Sequence, residues 1–473
     1  MSTIIDEATN IIWRACDVLR GHQDSTLNME YVLAMFFIRY VSGKAQKKLK
    51  LSRERDFWSL YKRSSESENA KRIDETLLEL EALNPDIEGV FKGVKFDSTK
   101  LGNEKARDAV LREFIKCYAH VEILDDQGMA ESVFQNLLDK FASDITNKTQ
   151  TFSTPKSVAN LLVCLLQPST GNSIYDPTCG TGGLLLSCAK WIKEKEKTQD
   201  YKLYGQEKNG LKWAIAKMNM AIHCQFSEVA LGDTLEHPSF HRGSKLTSFD
   251  VVLAHLPFFP EKWPYDIFVS DQYKRDRWGA PPKGKADYAF ISHALSSMDE
   301  CKGRCALIVT HGVLFRAGAE QEIRKRIIQE NLLDAVIGLP PRLFPGTTMP
   351  TAILIFKKKK SHRNILFIDA SKSFEADKNQ NQLKEEDILH VQEAYAERTE
   401  KKGYSRLIDL SEIETNGFSL NLSQYIHDSE ERDEIDLDRL QEELLSTESE
   451  LKLLKLKLEN LLRRATSSNK SKD

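Results

Sequence analysis

No stretch of the chain approaches the roughly 20 consecutive apolar residues that a membrane-spanning helix needs. No basic-then-apolar leader opens it either, so a soluble, cytoplasmic protein is expected. The eight cysteines, at 16, 117, 164, 179, 188, 224, 301 and 305, contain no paired C-x-x-C spacing. Cys301 and Cys305 make half a zinc site at most, so no metal centre is expected, and a reducing compartment suits them. Charge of one sign is also missing: 67 Lys and Arg face 70 Asp and Glu, a formal net charge of -3. That balance excludes a chain-wide electrostatic grip on nucleic acid, and any polyanion must be met by local patches or by a partner. The Gly-Lys-Ser/Thr ending of a phosphate loop is absent, and Leu185 stands where a dinucleotide fingerprint needs its third glycine. There is no tandem repeat, no zinc module and no recognisable recognition helix. At 473 residues with 41% hydrophobic content, the chain is too long for one core and suggests two or three units.

What the chain does carry starts at Asp176-Pro177-Thr178-Cys179-Gly180-Thr181-Gly182-Gly183. The apolar run Ser173-Ile174-Tyr175 precedes it and Leu184-Leu185-Leu186 follows. An acid therefore closes a buried strand, and small residues turn the backbone tightly before a helix opens, as in a strand-loop-helix nucleotide pocket. Lys202-Leu203-Tyr204-Gly205 reads as a second strand, with Glu207 at its carboxyl end, where a carboxylate can accept both ribose hydroxyls. A helix over 210–224 follows. Val229-Ala230-Leu231-Gly232 then leads into Asp233-Thr234, a third strand-end acid placed for an adenine amino group. Each acid can also cap the helix after it, but three acids after three successive strands point to a nucleoside pocket. Upstream, Thr151-Phe152-Ser153-Thr154-Pro155-Lys156 introduces a helix over 155–166. Thr154 suits its N-cap and Pro155 its first position, leaving backbone amides near the helix start and Phe152 to lie over a base; capping without ligand contact is the other reading.

The D-P-x-C-G-T-G-G pattern resembles the S-adenosylmethionine loop of DNA amino-methyltransferases. The resemblance implies S-adenosylmethionine as cofactor, held by residues 151–156, Asp176, Thr178, Gly180, Thr181, Gly182, Gly183, Glu207 and Asp233. Asp250-Val251-Val252-Leu253-Ala254 is a buried strand, and adenine-specific members follow it with Asn/Asp-Pro-Pro-Tyr/Phe; here the tetrapeptide is His255-Leu256-Pro257-Phe258. In that family the first side chain and the next carbonyl accept hydrogen bonds from the target amine, and the aromatic stacks on a flipped base. Phe258 and the Leu256 carbonyl retain these capacities. His255 offers one ring acceptor, only when neutral and in the right tautomer, and Leu256 lacks the ring that fixes the loop torsion. Two readings of His255 stay open: an acceptor for the amine, or a solvated loop residue with no part in transfer. The family's P-x-x-x-G-N-A-D block appears as Pro281-Pro282-Lys283-Gly284-Lys285-Ala286-Asp287, with lysine for asparagine. Between the two, Lys262, Lys274, Arg275, Arg277, Lys283 and Lys285 among Trp263, Tyr265, Tyr273 and Trp278 suit either an opened duplex or a solvated lid.

Alternating strands and helices resume from Arg304, which predicts an α/β, doubly wound, Rossmann-like and mostly parallel sheet. The run Lys357–Lys360 reads as a solvated turn rather than a phosphate clamp. Residues 1–145 show three-to-four spacing of apolar residues and predict an all-α domain, with residues 146–425 as the catalytic domain. Leu437, Leu440, Leu444, Thr447, Leu451, Leu454, Leu458 and Leu461 form a heptad seam, a coiled-coil-like helix over 426–465 that needs a partner, with 466–473 as a disordered tail. Ile12-Trp13-Arg14-Ala15-Cys16-Asp17-Val18-Leu19-Arg20-Gly21, the stretch from Phe36 to Ser42, and Phe418 to Tyr425 resemble modification subunits of type I restriction-modification systems. The resemblance implies transfer of a methyl group to adenine N6 in duplex DNA, with a specificity subunit joined through the C-terminal helix. A second methyltransferase subunit and a restriction nuclease subunit are further partners it allows. A catalytically silent, cofactor-binding scaffold remains an alternative, as does methylation of a protein glutamine or an RNA base.

Overall fold

The computed structural model describes residues 2–19, 25–43, 48–145, 154–223, 226–258, 262–344, 347–377 and 380–426, together with the single positions 444, 447, 449, 451, 452, 454 and 455. Residues up to Ile426 form one compact unit and those from His427 a second. Among the described residues no helix is long and apolar enough to cross a membrane.

The chain begins with six helices: α1 (Ser2–Leu19), α2 (Ser25–Val41), α3 (Phe57–Lys62), α4 (Asn69–Leu83), α5 (Glu104–Ala119) and α6 (Gln127–Ile145). From Tyr31 to Ile38, α2 is apolar on all sides, and Val32, Leu33, Met35, Phe36, Phe37 and Ile38 are fully buried, so the other helices surround it. Its one charged residue in that core, Arg39, reaches Asp125 at 2.7 Å and lies over the Trp58 ring.

The α/β part opens with α7 (Lys156–Leu166), β1 (Ser173–Asp176), α8 (Gly183–Glu196), β2 (Lys202–Glu207), α9 (Gly210–His223) and β3 (Ser227–Leu231). A hairpin, β4 (His241–Arg242) and β5 (Lys245–Leu246), leads to β6 (Val251–His255), α10 (Tyr265–Val269) and α11 (Asp287–Ser296). There follow β7 (Arg304–Thr310), α12 (Gly312–Phe315), α13 (Ala319–Gln329), β8 (Leu333–Gly338), β9 (Thr351–Lys357), β10 (Ile365–Asp369), α14 (Glu385–Glu397), β11 (Ser405–Ile408) and α15 (Leu410–Thr415).

Nine strands make one sheet in the order β11-β10-β8-β9-β7-β6-β1-β2-β3. Side chains alternate between its faces, as the two-residue strand period requires. Tyr175, Val252 and Ala254 join the core under α11 and α13, whereas Ile174, Val251 and Leu253 join the core under α7, α8 and α14. Burial on both faces is why these strands read as unbroken apolar runs, each Val or Leu contributing about 1.5–3 kcal/mol. Five of the eight pairings are parallel, and the antiparallel ones involve β9 and β11. β9 runs antiparallel to β8 because, among the described residues, no helix separates the two, and a parallel neighbour needs such a crossover.

The chain leaves β1 toward β2 and β3 on one side and places β6 on the other. That reversal opens a crevice beyond the carboxyl ends of β1 and β6. The helical bundle reaches the same region, since its core takes in Ala214, Ile215, Met218 and Ile222 of α9. In the second unit, Leu444, Thr447, Leu451 and Leu454 are helical, and the three leucines are exposed. The other seam positions, 437, 440, 458 and 461, and the tail from 466 lie outside the described residues.

Candidate active site

Asp176 ends β1 fully buried, and its Oδ1 accepts the Thr178 N–H at 2.9 Å. Burial pushes its carboxyl up to about 8; the Thr178 N–H opposes this and the neighbouring Glu207 charge adds to it. The turn that follows needs its glycines. Gly180 has φ +56° and Gly182 φ +84°, left-handed torsions that side chains rarely adopt. A Cβ on Gly180 meets nothing within 4 Å, so the turn is open on that side, whereas one on Gly182 falls 2.6 Å from Met220 Cε. The loop is tied to its surroundings by the Cys179 N–H on the Gln206 carbonyl at 3.0 Å and the Gly180 N–H on Glu207 Oε2 at 2.9 Å. Asn219 of α9 donates to the Thr181 carbonyl at 2.8 Å and accepts from Gln135 of α6 at 2.6 Å, which links the helical bundle to this turn.

Glu207 accepts the Asn209 N–H on its second oxygen at 2.7 Å, and each carboxylate oxygen keeps a lone pair for a further donor. Asp233 accepts the Leu235 N–H at 2.9 Å and the Lys208 ammonium at 2.8 Å. Both acids bind amides of their own loops rather than capping a following helix, and Glu207 reaches the glycine turn through the Gly180 N–H. The turn leaves open space beside Gly180, next to the Glu207 carboxylate. Gly182→Ala is expected to weaken nucleoside binding about tenfold, because an alanine at positive φ costs about 1–2 kcal/mol. Calorimetric titration with S-adenosylmethionine reads this directly.

The structure corrects the expected role of Thr154. Helix α7 starts at Lys156, Pro155 is its N-cap, and no side chain caps it. The Thr154 hydroxyl instead lies 3.1 Å from His255 Nδ1. Lys156 turns away from the crevice, its ammonium 2.6 Å from Asp139 of α6. Thr151, Phe152 and Ser153 lie outside the described residues.

His255 is the last residue of β6 rather than a solvated loop residue. Its ring packs on Phe258 (4.7 Å between centroids) and on Phe344 (4.6 Å), which follows β8. Burial, aided by the Lys212 charge, lowers its pKa to about 3, so the imidazole is neutral. Its carbonyl accepts the Thr178 hydroxyl at 3.2 Å, which joins the glycine loop to the tetrapeptide. Leu256 is buried and donates its N–H to the Ile308 carbonyl at 3.2 Å, a bond that proline at 256 would forfeit. Pro257 is exposed and Phe258 half-buried at the crevice. Phe344 carried no local signal, since its contacts lie 89 and 86 positions away in the chain.

The basic and aromatic stretch after the tetrapeptide is not a plain lid. Arg275 and Trp278 have no exposure at all. Arg275 donates from Nε and Nη2 to both oxygens of Asp271 (2.8 and 2.9 Å) and to the carbonyls of Thr234 and Leu235 (2.9 and 2.8 Å). It also meets His293 Nδ1 at 3.3 Å. This side chain is thus a clamp on the loop that carries Asp233, not a duplex contact. Lys262, Lys274, Arg277, Lys283 and Lys285 stay at the surface.

The lysine run is not simply a solvated turn either. Lys357 lies 3.1 Å and the buried Lys360 3.9 Å from the carboxylate of Asp334, while Lys358 meets Glu300 at 3.1 Å and Lys359 lies 3.2 Å from Cys301 Sγ. Burial raises the Asp334 carboxyl, but Lys357, Tyr395 and His362 outweigh it and hold it at about 2.

The chain matches the family model described as N-6 DNA Methylase over residues 126–434 and the HsdM N-terminal domain over residues 8–117. The type I restriction enzyme MjaVII methylase subunit of Methanocaldococcus jannaschii is 31% identical over 359 residues, which is 72% of this chain and 61% of that protein. The MpnII methylase subunit of Mycoplasma pneumoniae is 28% identical over 395 residues, 80% of this chain and 72% of that one. The chain thus spans less than two thirds of the MjaVII subunit and somewhat more of the MpnII subunit. A crystal structure of a type I restriction-modification system methyltransferase subunit from Streptococcus thermophilus superposes with a TM-score of 0.81 at 27% identity, covering 89% of this chain and 99% of that one. The chain belongs to the N-6 DNA methylase family.

Proposed function

We propose that this chain is the methyltransferase subunit of a type I restriction-modification system, and that it moves a methyl group from S-adenosylmethionine to adenine N6 in duplex DNA. The supporting observation is the Thr178 hydroxyl on the His255 carbonyl, which holds the nucleoside loop and the target-amine loop against one another across the β1/β6 crevice. Asp176, Glu207, Asp233 and the glycine turn would hold the cofactor, whose sulfonium supplies an electrophilic methyl group. Phe258 would stack on the flipped base, and the Leu256 carbonyl and neutral His255 would accept hydrogen bonds from its amino group. Those bonds keep the amine oriented and its lone pair directed at the methyl carbon.

Sequence selection rests with a separate specificity subunit, docked on the heptad helix of residues 426–465, where exposed Leu444, Leu451 and Leu454 await a partner. A second methyltransferase subunit and a nuclease subunit complete the reading, in the cytoplasm. Residues 1–145 and 146–425 serve as its helical and catalytic domains.

Transfer of tritiated methyl groups to duplex DNA, with the specificity subunit present and with RNA and protein as competitors, tests the proposal. His255→Asn restores an amide acceptor and is expected to raise turnover about tenfold, the worth of one better hydrogen bond at the reacting amine. Leu256→Pro should give no such gain, because it removes the N–H that binds the Ile308 carbonyl. Cofactor binding without transfer in either protein would leave the silent scaffold instead.

A further inference from the structure

We propose that Gln135 and Asn219 form an amide relay through which the helical bundle sets the affinity of the glycine turn for its nucleoside, with Asn219 as the positioning residue. The nucleoside rests on the methyltransferase reading above; the relay rests on the geometry of α6, α9 and the turn. Asn219 Nδ2 donates to the Thr181 carbonyl at 2.8 Å, and its Oδ1 accepts from Gln135 Nε2 at 2.6 Å.

Helix α9 is shared between two cores. Its Ala214, Ile215, Met218 and Ile222 belong to the core of the bundle, and its Ala216 and Met220 to the core under α7, α8 and α14. Asn219 lies between them and is only 1% exposed, a burial typical of apolar side chains rather than of asparagine. An amide placed there is costly unless its polar atoms are paired, and here both are.

A backbone group forces the polarity of the relay. A carbonyl can only accept, so Asn219 turns its NH2 to Thr181 and its oxygen to α6. Gln135 must then turn its own NH2 inward. A reversed amide at either position sets oxygen against oxygen. Helix α9 also packs on Gly182 through Met220 and Ala216, so a shift of α6 reaches both Thr181 and Gly182 of the turn. By linkage, a bound nucleoside stiffens the contact between α6 and α9 in return.

Donor and acceptor substitutions at position 135 of the full chain separate a relay from packing alone. Gln135→Lys still donates to the Asn219 oxygen, and its affinity for S-adenosylmethionine, read by calorimetry, is expected within about twofold of wild type. Gln135→Glu sets a carboxylate against that oxygen, turns the Asn219 amide over and takes the donor from Thr181, for an expected loss of about tenfold. Both variants carry a charge at one place, so a general cost of charge would lower both. In an Asn219→Leu background, where Thr181 has already lost its donor, Gln135→Glu should cost less than about twofold. Hydrogen exchange at the Cys179, Gly180 and Gly182 amides needs no ligand, and it should quicken about tenfold in Gln135→Glu but not in Gln135→Lys. Should Gln135→Glu fail to fold, Asn219→Asp removes the same donor directly and should show the same two changes. Equal affinities in the donor and acceptor variants, unchanged exchange, or an undiminished cost in the Asn219→Leu background overturns the proposal. The expected exchange pattern in a chain that binds no S-adenosylmethionine even as wild type would sink the methyltransferase reading and leave the relay in place.

Discussion

Arg275→Met is expected to destabilise the chain by about 3–5 kcal/mol, as removal of one partner from a buried ion pair usually does. The guanidinium is fully buried, and Asp271 beside it has a side chain only 3% exposed. Methionine fills much of the same volume, so the loss comes from polarity rather than from a cavity. It strands the Asp271 carboxylate and leaves the Thr234 and Leu235 carbonyls without their donors. Arg275→Lys keeps the charge but cannot reproduce the planar fork and should fall between the two. Replacing Asp271 with leucine in the methionine variant should recover much of the loss, because it removes the stranded charge. Urea unfolding followed by fluorescence measures all three variants, and an Arg275→Met midpoint equal to wild type would disprove the clamp. Because the clamp grips the loop that carries Asp233, the surviving folded protein should also bind S-adenosylmethionine more weakly.

The contribution of Asp176 to stability should fall as pH rises from about 4 to about 8, while the neutral His255 contributes in the opposite direction up to its ordinary value near 6.5. The folded pKa of Asp176, about 8, stands far above the ordinary carboxyl value near 3.9 of an unfolded chain. Between these values the folded protein keeps a proton that the unfolded chain has released. Below the window both forms are protonated, and above it both are ionised, so the slope is confined to the interval. The linkage limit is about 1.4 kcal/mol per pH unit, and a total loss of roughly 2–4 kcal/mol is expected once the interior relaxes around the charge. Asp176→Asn cannot titrate and should remove this slope, so the variant gains on wild type as pH increases. Denaturant midpoints for both proteins at half-unit pH steps give the difference curve. A flat curve would mean that Asp176 is ionised in the folded chain at neutral pH.

Much of the site was legible from local patterns. The strand at 173–176, the turn with Gly180 and Gly182, the acid at 207 and the strand ending before Leu256 each announce themselves within a few residues. Buried parallel strands must be apolar throughout, and a tight turn at positive φ must be glycine, so the chemistry marks the place. Thr154 shows the limit of such reading. Thr-Pro before a helix is a capping signal, yet the hydroxyl found a better partner 101 residues away. Arg275 misleads in the same way, since a basic residue among lysines reads as surface until Asp271 and two carbonyls enclose it. The lysines at 357 and 360 joined an internal ion cluster because Asp334, buried in β8, demanded cations.

The sequence by itself determined the layered α/β architecture, the helical bundle before it and the elbow of glycines, because periodicity, torsion and strand-end acids are properties of neighbours along the chain. Only the tertiary structure decided the state of His255, the inward turn of Arg275 and the direction of β9. Each of these depends on what the folded chain brings alongside: a hydroxyl and two rings, a buried carboxylate, or a strand already waiting for a neighbour. Burial and pairing between distant segments set those outcomes, and no short window of residues contains them.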